Sequence, residues 1–182
     1  MKLTCGELHN LSELILSCVN SITNMELYKN QAIDTELKSM IETHLPIHIQ
    51  DYNMKVKFVK EANAPAEKLN VPELKKILQD FTNAPVAPIS VTPRTEVQQL
   101  NDREIATGYL LTLKRAGREY AWSAMEASNP ELREFLKDAF TMSCNHAYEV
   151  WQWMVQKGFY SLSPALQQEI DSTGSMFNEV QK

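Results

Sequence analysis

Two stretches decide the fold: Glu26–Ile41, ELYKNQAIDTELKSMI, and Ala121–Leu136, AWSAMEASNPELREFL. They align without a gap, with Ala32 on Ala127, Asp34 on Asn129, Glu36 on Glu131 and Leu37 on Leu132. In each, one helical pattern ends, a polar side chain suited to an N-cap follows, and a second helix starts with glutamate in its first turn. Pro130 fits the first helical position of the second copy. The same turn chemistry used twice predicts two helical hairpins.

The flanking periodicity agrees. Before the first turn, Leu8, Leu11, Leu14, Ile15, Cys18, Ile22, Met25 and Leu27 recur at three and four residues, the amphipathic helix spacing. After it come Leu37, Met40, Ile41, Leu45, His48, Tyr52, Val56 and Val59, with Pro46 expected to kink the helix or interrupt one hydrogen bond. Around the second turn, Ile105, Tyr109, Leu110, Leu113, Ala116, Tyr120, Ala124 and Ala127 line one helix. Leu132, Leu136, Ala139, Ser143, His146, Ala147, Val150 and Met154 line the next, which Gly158 stops. Gly108 and Gly117 suggest close approach of a neighbouring helix.

Between the hairpins, residues 63–99 hold five of the eight prolines: Pro65, Pro72, Pro85, Pro88 and Pro93. A short helix from Pro72 to Phe81 is expected there, with Leu74, Ile77, Leu78 and Phe81 on one face. So long a connector makes sense as a crossover from one end of a bundle to the other. The chain is therefore read as one all-α domain over residues 1–182, a ferritin-like four-helix bundle. Its parts are a hairpin at 6–62, the crossover at 63–99, a hairpin at 100–160 and a loose tail at 161–182 with a short docking helix at Pro164–Ile170.

Composition narrows the function. A net charge of −5 and no long basic run argue against a nucleic-acid groove or an anionic membrane surface. No window of about 18 apolar residues suggests a membrane span. Cys5, Cys18 and Cys144 are an odd number without C-x-x-C spacing, so free thiols are expected, with Cys18 and Cys144 buried. The opening MKLTCGELHNLSEL lacks a basic region followed by an apolar run, and cytosolic synthesis is expected.

Candidate chemistry centres on CNHAYEVWQWMVQKGFY, Cys144–Tyr160. His146-x-x-Glu149 reverses the Glu-x-x-His order by which bundles hold two metals. His44 and His48, four apart, also share a face. His44, His48, His146 and Glu149 are the best metal constellation available, yet short of a di-metal donor set. The alternative is a histidine in a polar layer with Glu149 toward solvent. Cys144 and His146, two apart, point away from each other and do not suit a nucleophile–base pair. Tyr148, Trp151, Trp153, Phe159 and Tyr160 form an aromatic cluster suited to a protein interface. Trp151 and Trp153 cannot both face inward. No residue is assigned to catalysis or to a cofactor.

Two segments carry a family resemblance: GREYAWSAMEASNPELREFL and HAYEVWQWMVQKGFYSLSPALQQEI. With Arg118-Glu119-Tyr120-Ala121, Asn129-Pro130-Glu131-Leu132-Arg133, His146 and Met154 through Gly158-Phe159-Tyr160, the chain resembles the coat F domain family. The resemblance is strong over Leu100–Ile170 and weaker over Gly6–Val59. It implies a ferritin-like bundle and a non-enzymatic structural role in the spore coat, reached by assembly with itself or with other coat proteins. The alternatives are a metal-binding or peroxide-handling ferritin-like protein and a cytosolic bundle that holds an apolar small molecule. The eight methionines leave the last open.

Overall fold

A computed structural model describes residues 3–61 and 67–181. The expected boundary at 62/63 and Pro65 lie outside the described residues. The helices are α1 (Cys5–Gln31), α2 (Thr35–Glu61), α3 (Asp102–Glu126), α4 (Pro130–Gln156) and α5 (Gln167–Gly174). The fold is all-α, a ferritin-like four-helix bundle. α1 packs on α2 and α3 on α4 as hairpins, and the hairpins meet through α1 against α3 and α2 against α4.

The two turns match in geometry. Ala32 and Ala127 leave their helices at φ/ψ of −60°/129° and −68°/123°. Asp34 Oδ1 accepts the Glu36 and Leu37 N–H groups, and Asn129 Oδ1 accepts those of Glu131 and Leu132. Each turn is also tied to the other hairpin. Glu7 Oε1 accepts the N–H groups of Ser128 and Asn129 at 2.9 and 2.8 Å. The Asp102 carboxylate accepts those of Ile33 and Asp34 at 2.8 and 3.1 Å. Glu7 and Asp102 stand at the same offset as the turns themselves, so the duplication covers both hairpins. Burial pushes the Glu7 carboxyl up, but the Thr4 and Asn129 N–H groups and the Ser128 hydroxyl outweigh it and hold the pKa at about 2.

These ties also fix direction. The start of α1 lies at the α3–α4 turn, and the α1–α2 turn lies at the start of α3. The segment between α2 and α3 therefore crosses the whole bundle. It is strapped to α2 and α4: Gln50 bonds Lys68 O and Asn70 N, and Asn145 donates to Pro72 O. No helix forms at Pro72–Phe81. Gln152 supplies the reason: its Oε1 accepts the Ile77 and Leu78 N–H groups, and its Nε2 donates to Lys75 O. Backbone groups that a helical turn would have paired with itself are spent on a buried side chain of α4. Further on, Ile89 N–H donates to Gly158 O at 2.8 Å. Gly158 has φ +71°, and a Cβ there would meet Ala87 O at 2.7 Å, so the residue that ends α4 also lets the crossover pass.

The helical faces show where periodicity misleads. The expected stripes of α3 and α4 face inward. In α2 the expected stripe drifts after His48. The buried residues there are Asp51, Met54, Lys55 and Phe58, whereas Val59 is exposed and Tyr52 and Val56 are half-buried. In α1, Leu8 and Leu27 are exposed and Glu7 and Ser21 take inward positions. α2 continues through Pro46 without a break, which keeps His44 and His48 on one face. Gly108 abuts the Tyr28 hydroxyl of α1, and Gly117 abuts Ser143 of α4. The tail helix starts at Gln167 rather than Pro164 and is undocked, with every residue from 163 to 181 exposed.

Candidate functional site: a buried polar core and an outer aromatic face

α2 places His44, His48, Asp51 and Lys55 on one inward face, at the three- and four-residue steps of a helix. They form two polar centres with side chains from the other helices.

The first centre joins all four metal candidates. His44 Nε2 lies 3.2 Å from Glu149 Oε2, and His44 Nδ1 lies 2.9 Å from the Tyr109 hydroxyl. His48 Nε2 lies 3.4 Å from that hydroxyl and 3.2 Å from His146 Nδ1. A carboxylate only accepts, so His44 carries its proton on Nε2 and takes the Tyr109 O–H on Nδ1. His48 then donates from Nε2, and His146 accepts on Nδ1. His146 Nε2 is left with the proton and no partner. Burial lowers all three histidine pKa values, that of His48 to about 4, so the imidazoles are neutral at pH 7. Burial raises the Glu149 carboxyl, and bonds from His44 and Lys75 more than reverse this. Glu149 is thus buried between His44 and the half-exposed Lys75, not turned to solvent.

Both His44 nitrogens, His48 Nε2 and His146 Nδ1 are engaged in these hydrogen bonds. The His44 and His146 rings stack face to face at 3.6 Å, which aims their lone pairs along different lines. Among the described residues no three His, Cys, Asp or Glu side chains converge as a metal would require. What the arrangement offers is a hydrogen-bond chain that runs from His48 through Tyr109 and His44 to Glu149, with His146 as a second acceptor beside His48.

The second centre was not legible as a site. Asp51 and Lys55 are both fully buried and form an ion pair. Lys55 Nζ also donates to the Tyr120 oxygen at 3.0 Å and to Cys18 Sγ at 3.2 Å, which uses all three of its protons. Tyr120 donates to Asp51 Oδ2 at 2.8 Å. Burial pushes the Cys18 thiol up to about 11, with Lys55 opposing and Asp51 reinforcing, so no thiolate nucleophile exists here. Di-metal bundles place a cation between the helices with carboxylates around it. Here a lysine ammonium supplies the interior positive charge.

The aromatic cluster divides. Trp153 is buried against Phe159 and is core, a correction to its expected place at an interface. Being two residues away, Trp151 comes to the bundle edge, stacked on Tyr148 and edge-on to Tyr160. Phe159 and Tyr160 are half-buried. Cys144 is exposed, also against expectation, because it lies on the outer stripe Phe140–Cys144–Tyr148–Trp151 of α4. Beside it α3 presents Leu111, Lys114, Arg118, Trp122 and Met125. Trp122 is 66% exposed. The spacing of Leu111, Arg118, Trp122 and Met125 along one outward stripe was the signal for it.

That outer face lies on the hairpin with a known counterpart. The Coat F domain model matches residues 101–164. The match starts at the N-cap of α3 and ends just past α4, so it covers the second hairpin and leaves α1, α2 and the crossover outside. The Coat F segment therefore holds His146, Glu149 and the aromatic face. The whole chain resembles a crystal structure from Bacillus halodurans C-125, provisionally described as a spore coat protein. That likeness has a TM-score of 0.67 and 10% identity and covers 92% of this chain and 97% of that one. At such identity it is a likeness of fold. No curated protein matches the chain. Among the described residues no helix is long and apolar enough to cross a membrane.

Proposed function

We propose that the chain is a structural, non-enzymatic protein of the spore coat that acts by assembling with itself or with other coat proteins. The observation that carries this is a coincidence of position: the Coat F match falls on the hairpin whose outer face exposes Trp122, Met125, Leu111 and the edge of Trp151. Aromatic and long apolar side chains beside Lys114 and Arg118 are the composition of a protein interface. The interior supports the same reading. Most of the buried polar side chains of the two centres bond to one another, and the void beside Cys18, His48, Tyr109 and Tyr120 is about 10 Å³, room for roughly one water and no substrate. The Coat F likeness extends synthesis in the cytoplasm to deposition on the spore.

The test is fractionation of sporulating cells that carry an epitope-tagged chain. The protein is expected in the coat fraction of washed spores and only under strongly denaturing extraction. Recovery from the soluble lysate alone, with none in purified spores, overturns the reading.

A further inference from the structure

The chain carries a segment whose character matches the outer groove between α3 and α4. The groove measures about 450 Å³ and is lined by Leu113, Gly117, Phe140, Ala147, Tyr148 and Trp151. Its rim is basic. Lys114 and Arg118, one turn apart on α3, make no ion pair among the described residues, and Lys114 bonds only the Tyr160 hydroxyl.

The tail has the opposite character. Leu166 at the N-cap and Ile170 one turn on lie at helical spacing on α5, Phe177 follows three residues past its end, and the three are 68%, 52% and 72% exposed. Glu169, Asp171 and Glu179 flank them. An isolated helix of eight residues is marginal in water, so α5 needs a surface to pack on. Its own bundle does not provide one: no residue of α5 is buried, and the tail stands clear of the groove beside which it departs.

We propose that the C-terminal segment Leu166–Val180 of one copy docks in the α3–α4 groove of a second copy, apolar stripe inward and carboxylates against Lys114 and Arg118. The proposal rests on the assembly reading above and names the surface and the partner. Tail and groove are different patches of one chain, so the contact is heterologous. It can continue from copy to copy as well as close into a pair.

The experiment is sedimentation equilibrium of the full chain over a range of concentrations, beside three variants. One ends at Ser163, one carries Lys114→Glu with Arg118→Glu, and one carries Glu169→Lys with Asp171→Lys. The full chain is expected to exceed its 20.8 kDa monomer mass as concentration rises. The shortened chain is expected to stay monomeric with an unchanged unfolding midpoint. Each charge reversal should weaken association at least tenfold, and mixing the two reversed chains should restore it, a rescue that docking within one chain cannot give. A full chain that is monomeric throughout overturns the proposal, as does a shortened chain that associates equally well or a mixture that shows no rescue. A monomeric protein still held in the spore coat would sink the docking and leave the coat role standing. Tail-dependent association of a protein missing from spores would do the reverse.

Discussion

The turns at Ala32–Asp34 and Ala127–Asn129 lie at a fixed offset of 95 residues, and the two backbone N–H bonds to a carboxylate from the other hairpin recur in both. The interiors of the two hairpins do not correspond in this way. At that same offset Asp51 of α2 corresponds to His146 of α4, Lys55 to Val150, and Met25 of α1 to Tyr120 of α3. Turns answer to backbone geometry, which both hairpins share. Core positions answer to whatever lies opposite, and a charged pair can stand where its duplicate is apolar provided both charges meet a partner.

The largest effect should come from breaking that asymmetry at Lys55. Lys55→Ala leaves Asp51 charged and unpaired in the core and should cost about 3–5 kcal/mol in urea unfolding. Asp51→Leu combined with Lys55→Met should recover at least half of this. If the single substitution costs no more than a surface one, the buried pair is not what holds this region. Next is the histidine centre, which has no equivalent in the duplicated positions. Its folded pKa values lie below the unfolded value near 6.5, so the unfolded chain binds more protons in acid. Stability should be complete above pH 6.5 and fall as pH drops toward 4, with His48 alone accounting for about 3 kcal/mol. A flat unfolding free energy between pH 7 and 4 would contradict neutral buried imidazoles.

The turns test the symmetric part. Glu7→Gln removes a charged acceptor that is 4% exposed and should cost about 1–3 kcal/mol by thermal melts. Asp102→Asn should cost less, because the N–H groups it serves can turn to water. The Glu7 carboxyl is depressed in the folded state, so its contribution is present above pH 4.5 and lost as pH falls toward 2; the Gln variant should therefore converge on wild type in acid. Equal losses at neutral pH would mean that burial does not distinguish the two turns. The smallest effect belongs to Lys157, which pairs with Asp34 at 2.8 Å near the surface. Lys157→Ala should change stability by under about 1 kcal/mol, and a larger loss would show that this turn depends on an ion pair its duplicate lacks.

What was legible in the sequence was local. The caps at Asp34 and Asn129, Pro130 at the start of α4 and the stripes of α3 and α4 act within a few residues of themselves, so spacing suffices to find them. The inward face of lower α2 was not legible. Asp51 and Lys55 score as surface residues one at a time and become core residues only as a pair, with Tyr120 and Cys18 supplied by other helices. The missing helix at Pro72–Phe81 has the same origin, since Gln152 lies more than seventy residues from the backbone it captures. Of the candidate site, spacing puts His44 with His48 and His146 with Glu149 on shared helix faces, but Tyr109, which links His44 to His48, reads only as an apolar position. Trp122 stands alone on its stripe of α3, whereas the aromatics of α4 are dense enough to signal a cluster by spacing.

The crossover leaves α2 at one end of the bundle and enters α3 at the other, and it is strapped by side chains along most of the way. Its exposed stretch from Pro85 to Ala87 joins the hairpins in sequence without adding to their shared interior. A single peptide-bond cut there by a protease would leave two polypeptides that migrate apart in denaturing gels yet travel as one particle in native buffer.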